Sequence, residues 1–234
     1  MTPVNQIRVP LTTVALPVLS RLQATKERFN DYVAIGQLGL GYPLCLALGA
    51  ASLLADPLTT VALGSQWQEA APILRLLAIS AVFQTLAYVG YWVYVSRGLG
   101  PALFKFSIVS AAIRITAILV GSQFGLVGVA AGYMIGSAIN WPISIGWLSR
   151  VTTIPTRRLY LGAGRILLVV VWASCLSGLV AFVALPDLPA TTTLIVGLVA
   201  YTAAVPLALL IPWYREDLRS MLRIVAIIRG RNVE

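Results

Sequence analysis

The chain has no histidine and little acid: eight aspartates and glutamates stand against 17 lysines and arginines, and only 11% of its 234 residues are charged. Without histidine, the commonest general base and metal ligand is missing. The scarce acids leave no aspartate pair, Ser/His pair or metal cluster from which an intramembrane hydrolase could be built. No catalytic residue, metal site or cofactor is therefore expected. The two cysteines, Cys45 and Cys175, stand alone inside apolar runs. They have none of the paired spacing of a metal site or disulfide framework, and read as small apolar packing residues. A basic excess could signal a nucleic-acid partner, but the arginines sit in short loops between apolar runs rather than on one polar domain, so no nucleic acid is expected. Residues 1–20 do not read as a signal peptide: no basic stretch precedes a clean apolar core, and Arg8, Pro10 and Pro17 interrupt the run.

What the chain has in place of charge is long apolar runs. Soluble domains carry about 25% charged residues and about 45–50% apolar ones; here 59% is hydrophobic. At roughly 20 residues per membrane span, six runs are long enough: 33–54, 74–95, 102–120, 124–148, 166–185 and 192–212. A lone strand in lipid would leave its backbone unsatisfied, so each run is expected to be a helix. A weaker run over 4–20, broken by Asn5, Gln6 and Arg8, reads as the end of a further helix. The expected fold is an all-α membrane protein, a polytopic helical bundle of six full transmembrane helices plus a partial N-terminal one.

Charge orients the bundle. Basic residues collect in alternate loops: Arg21, Lys26 and Arg28; Arg97 and Lys105; Arg150, Arg157, Arg158 and Arg165; and the tail with Arg215, Arg219, Arg223, Arg229 and Arg231. The intervening loops, 55–71, 121–123 and 186–191, carry only Asp56, Glu69 and Asp187. Basic loops stay on the cytoplasmic side, which places the C-terminus inside the cell and the protein in the cytoplasmic membrane. In the tail after Trp213, Leu218, Met221, Leu222, Val225 and Ile228 share one helical face. That spacing predicts a basic amphipathic helix over 214–234, lying on the anionic inner leaflet. No acid falls inside a span, so no carboxylate relay for protons or sodium is expected.

Polar residues within the spans mark candidate sites. Ser80, Gln84, Tyr88 and Tyr91 recur on one helical face. Such a stripe avoids lipid, and it admits two readings, a sugar-binding wall or interhelical hydrogen bonding. Arg114 shares a face with Ser107 and Ser110. A charge at membrane depth costs roughly 2.5–3.5 kcal/mol on insertion scales. Arg114 either lines a cavity, where its charge would hold a phosphate, or snorkels to an outer boundary about 10 Å away at helical rise. Arg8, beside Asn5, has the same two readings. Arg75, at a helix start, reads as an interface anchor, and Asn140 is a further polar candidate. Gly128, Gly132 and Gly136, at four-residue spacing, form a bare face that lets another helix approach closely. Pro43, Pro142 and Pro206 fall within spans, where each removes a helix hydrogen bond.

Several stretches have a familiar form. Pro17-Val18-Leu19-Ser20-Arg21-Leu22-Gln23, followed by Glu27-Arg28-Phe29 and Tyr32, resembles a segment of the bacterial polysaccharide and lipopolysaccharide flippases. Leu63-Gly64-Ser65-Gln66-Trp67 with Ala70-Ala71-Pro72-Ile73-Leu74-Arg75-Leu76-Leu77 is similar to the next loop and helix start of that family. Gly125-Leu126-Val127-Gly128-Val129-Ala130-Ala131-Gly132 is similar to a later helix. The family belongs to the multidrug, oligosaccharidyl-lipid and polysaccharide exporter superfamily. The resemblance implies two six-helix lobes around a central cavity, and movement of an undecaprenyl-pyrophosphate-linked oligosaccharide to the outer leaflet by alternating access. On this reading residues 1–20 end a partial helix, 21–150 hold four helices of the second lobe, 151–213 hold two additional C-terminal helices, and the first lobe is missing. The implied partners are the lipid-linked oligosaccharide, membrane lipids, a separate first lobe and polysaccharide synthesis proteins such as a polymerase. Arg8 and Arg114 would attract the pyrophosphate or acidic sugars, with Gln84, Tyr88, Tyr91 and Asn140 contacting sugar. The alternative from another class is a non-transporting remnant or scaffold of polysaccharide assembly. A multidrug exporter of the same superfamily is disfavoured by the sugar-family stretches and by the lack of buried carboxylates.

Overall fold

A computed structural model describes residues 12, 16–17, 19–20, 25–185 and 188–228, with side chains as far as residue 221. Among these residues every regular element is helical. The elements are α1 (Lys26–Leu53), α2 (Ala55–Leu63), a 3-10 turn (Ser65–Ala70), α3 (Ala71–Ser96), α4 (Gly100–Ser122), α5 (Gly125–Val151), α6 (Thr156–Gly178) continuing as a π-helical turn (Leu179–Ala184), α7 (Ala190–Leu207), a 3-10 turn (Ala208–Leu210) and α8 (Pro212–Ile228). Six of the helical segments are long and apolar enough to cross a membrane, and they fall on the six runs read from the sequence. Most of the weak run over 4–20 lies outside the described residues. Thr12, Leu16, Pro17, Leu19 and Ser20 are helical, and Leu19 is completely buried.

Short connections make neighbouring helices antiparallel. The α3–α4 turn shows how the sequence does this. Gly98 takes φ +65°, open to glycine at little cost, and follows the helix cap at Arg97. The Leu99 amide then donates to the Tyr94 carbonyl (2.8 Å) and the Gly98 amide to the Val95 carbonyl (3.2 Å). These two bonds form a Schellman closure, which satisfies carbonyls that the helix end would otherwise orphan. Pro101 can then sit in the first turn of α4, where no amide is needed.

The helices carry very different loads. Of the apolar window in α1, 56% is buried inside the chain, against only 6% in α4. α1 packs on α3 and α6, while α4 packs almost wholly on α5 and α5 in turn on α3. Phe104, Ile108, Ile115 and Leu119 on α4 are exposed; in a bilayer they meet acyl chains as apolar as themselves. One core cluster, with Phe29, Val33, Trp92, Val93, Tyr94 and Leu148, lies between α1, α3 and α5. A second, with Tyr42, Leu86, Ile166, Val169 and Tyr214, joins α1 to α3, α6 and α8.

The glycine face of α5 meets α4. A Cβ on Gly132 would fall on the Ala117 carbonyl oxygen, and one on Gly128 on the Gly121 carbonyl oxygen. A Cβ on Gly136 would lie 3.2 Å from the Ala117 Cβ. Gly121 returns the contact, since a side chain there would meet the Gly128 carbonyl. Backbone therefore lies against backbone over this stretch of the α4–α5 pair.

Three features depart from the sequence reading. The segment over 55–71, expected as an outer loop, is largely helical. Pro57 sits in the first turn of α2, and the Thr60 hydroxyl donates to the Asp56 carbonyl (2.9 Å). Arg75 is more than an anchor: it pairs with the Asp56 carboxylate and donates to the Ser52 carbonyl (3.3 Å), tying the start of α3 to the ends of α1 and α2. Arg165, assigned to a basic loop, lies well inside α6, and Asp217, assigned to an amphipathic helix on the membrane surface, is 4% exposed. The sequence offered no carboxylate within a span, and the structure supplies a buried one from α8 instead.

Candidate functional site

The polar stripe of α3 divides into two parts. At its outer end the side chains hold helices together. The Ser80 hydroxyl donates to the Ser137 hydroxyl of α5 (2.9 Å), and Gln84 Nε2 donates to Ser80 Oγ (2.9 Å) and to the Tyr133 hydroxyl (3.4 Å). Ser80 is fully buried in this network. One turn further along, Tyr88 and Tyr91 lie with ring centres 5.6 Å apart and planes tilted 31°, and Tyr91 is 41% exposed. Gln84 stands at the junction and belongs to both parts.

A cavity of about 420 Å³ opens between α3, α4 and α5. Gln84, Tyr88 and Tyr91 line it from α3, Arg114 from α4 and Asn140 from α5. These five residues, scattered over the sequence, are brought to one space. Arg8 lies outside the described residues. The lining runs from Tyr94 and Leu103, near the basic end of the helices, to Gln84 and Arg114, near their middle. Ser107 and Ser110 share the α4 wall with Arg114, as their spacing predicts.

Arg114 is half-buried, and its Nη2 donates to Ser110 Oγ (3.2 Å). Among the described residues no carboxylate pairs with it; the three ion pairs there involve Arg75, Arg158 and Arg165. An arginine inside a span without a counter-ion leaves a positive charge open to an anion. At an effective dielectric of about 20, a unit anion 4 Å away would gain about 4 kcal/mol. Three polar atoms of the wall, Arg114 Nε, Asn140 Oδ1 and the Tyr94 hydroxyl, also lack a hydrogen-bond partner among the described residues. Each costs about 1–3 kcal/mol if left dry.

Tyr94, Phe106 and Ser144 also line the cavity and were not singled out by sequence. Tyr94 and Phe106 stack with planes 14° apart and centres 6.3 Å apart, closing the basic end of the space between α3 and α4. Nothing in the local sequence distinguishes these aromatics from core residues. Thr12 reaches the same region from the N-terminal segment. Its hydroxyl lies 3.2 Å from that of Tyr88 and accepts from Trp92 Nε1 (3.1 Å), fixing both rings of α3.

Six helices long and apolar enough to cross a membrane, and a polar cavity lined by an arginine with no acidic partner among the described residues, define the class: a multi-pass membrane protein with a cationic space in its helix bundle. Comparison with known proteins narrows this. Residues 1–72 match a family model described as polysaccharide biosynthesis protein. The chain is also 26% identical over 138 residues to the lipopolysaccharide biosynthesis protein WzxC of Escherichia coli (strain K12), a match covering 57% of this chain and 27% of that relative. The chain thus matches only about a quarter of the relative's length. No solved structure matches it significantly. Both findings support the polysaccharide-family resemblance read from the sequence.

Proposed function

We propose that the chain is part of a transporter that carries lipid-linked oligosaccharide across the cytoplasmic membrane, and that the α3–α4–α5 cavity lines the glycan path. The observation that carries this reading is Arg114, a charge inside a span with no acidic partner among the described residues, set beside two tyrosine rings in one cavity. A pyrophosphate has the charge and the oxygens that a guanidinium fork recognises. Sugars offer hydroxyls to Gln84 and Asn140, and flat C–H faces to Tyr88 and Tyr91. The prenyl chain would remain in lipid against the apolar outer face of α4.

Within this proposal residues 21–150 form four helices of a second lobe, and 151–213 add two helices beside it. The basic ends of the helices face the cytoplasm, so the end of the cavity that Tyr94 and Phe106 close would lie toward the inner leaflet. Alternating access would require a further bundle to rock against this one. The family points to a transporter rather than an enzyme.

The test is deletion of the gene in its own host. Loss should trap lipid-linked oligosaccharide on the inner leaflet, unreachable by a glycan-cleaving enzyme added outside intact spheroplasts, and the wild-type gene should restore access. If access is the same with and without the gene, the chain does not carry this substrate, and a scaffold role takes its place.

A further inference from the structure

The mechanism proposed above makes no use of Asp217, yet it is the most deeply buried acid among the described residues. Its two carboxylate oxygens face two different helices. The Tyr42 hydroxyl of α1 donates to Oδ2 (3.0 Å), and Arg165 Nη1 of α6 donates to Oδ1 (2.7 Å). Aromatic contacts surround the pair: Tyr42 and Tyr214 meet edge to face at 5.3 Å, and the Arg165 guanidinium lies 5.7 Å from the Trp213 ring centre. Burial first, and then the nearby Asp217 carboxylate, raise the Tyr214 pKa above its ordinary value.

An amphipathic helix resting on lipid alone would turn its apolar residues to the bilayer and its charges to water. α8 does something else. It turns Tyr214, Asp217 and Met221 toward the bundle and leaves Arg215, Glu216 and Arg219 exposed. Burying a carboxylate is expensive unless it is paired and hydrogen-bonded, and Arg165 inside α6 has the complementary problem. Each group resolves the cost of the other, and the two meet only when α8 lies across α1 and α6.

We infer that Asp217 is a clasp: it docks α8 across the seam between α1 and α6, and so ties the α6–α7 pair to α1. The clasp has three parts on three helices, Tyr42, Arg165 and Asp217. Removing Arg165 leaves the buried Asp217 without its counter-charge, and removing Asp217 takes away the group that ties α8 to Tyr42 and Arg165; either change undocks α8, and exchanging the two charges restores the pair.

The inference depends neither on the substrate nor on which side the tail faces, and its test avoids both. In a chain with Cys45 and Cys175 replaced by alanine, a reporter cysteine at Met221, which packs partly buried against the second core cluster, is labelled with a water-soluble maleimide in permeabilised membranes. A second reporter at Leu159, 3% exposed on α6, monitors general unfolding. The Met221→Cys reporter should react slowly in the parent. In Asp217→Ala and Arg165→Ala its rate should rise on the order of tenfold, and it should fall back in the exchanged variant Arg165→Asp with Asp217→Arg, with Leu159→Cys protected throughout. The clasp is overturned by equal rates at position 221 in all variants, by a parallel rise at 159, or by an exchanged variant that labels as fast as the single ones.

Discussion

Replacement of Arg114 by alanine is expected to lower glycan export about tenfold to a hundredfold while leaving the amount of protein in the membrane unchanged. The magnitude follows from the loss of hydrogen bonds to a charged group, about 1.5–3 kcal/mol, in a site where water competes weakly. Protein level should hold because the side chain supports little else: among the described residues its side chain bonds to Ser110, one turn back on the same helix. Losing a charge from a span also removes an insertion cost, so the variant should be no less stable. Arg114→Lys keeps the charge but not the planar fork, and should fall between the two. Export is read as polysaccharide at the cell surface in the deletion host, and membrane content by immunoblot. If export in Arg114→Ala equals that of wild type, Arg114 is not in the substrate path.

Gly132→Leu is expected to damage the protein itself. A side chain there would drive into the Ala117 carbonyl and the Ile118 backbone of α4. Backbone cannot step aside as a flexible side chain can, so the helices must part. Forcing extra atoms into a packed interface typically costs about 1–3 kcal/mol, and this contact belongs at the upper end. α4 has almost no other partner, with only 6% of its apolar window buried. Separating it from α5 therefore removes the wall that carries Arg114. The midpoint of thermal unfolding in detergent should drop on the order of 10 °C, with export lost. Gly39→Leu is the matched control. Gly39 is exposed on α1 with open space around it, and the same substitution there should leave the midpoint unchanged. An unchanged midpoint in Gly132→Leu would mean that the close approach of α4 and α5 does not hold the bundle together.

These two positions also show how far the sequence could be read. Bilayer thickness demands about 20 apolar residues per span, so the six helices were legible from run length alone, and every boundary moved by only a few residues except where charge misled. Arg165 and Asp217 are the instructive case. Hydropathy reads each as a polar residue outside a span, and nothing local signals that two charges 52 positions apart neutralise each other. Helical periodicity put Ser80, Gln84, Tyr88 and Tyr91 on one face, but could not say that Ser80 would be spent on Ser137 while Tyr91 faced open space. The glycine spacing in α5 announced a close neighbour without naming it; the neighbour is the preceding helix, reached through a turn of a few residues. Tyr94 was missed because an aromatic in an apolar run has the same appearance whether it faces a core or a cavity.

The most direct test of the glycan path is photo-crosslinking from within the bundle. A photoreactive phenylalanine derivative is placed at Tyr91, which lines the cavity, and separately at Val199, which is 61% exposed on α7 and outside the cavity lining. Both proteins are irradiated in membranes of the native host while lipid-linked oligosaccharide is being made. The proposal predicts that glycan becomes attached to the protein carrying the probe at 91 and not to the one carrying it at 199. Glycan attached at 199 but not at 91, or at neither, would contradict it.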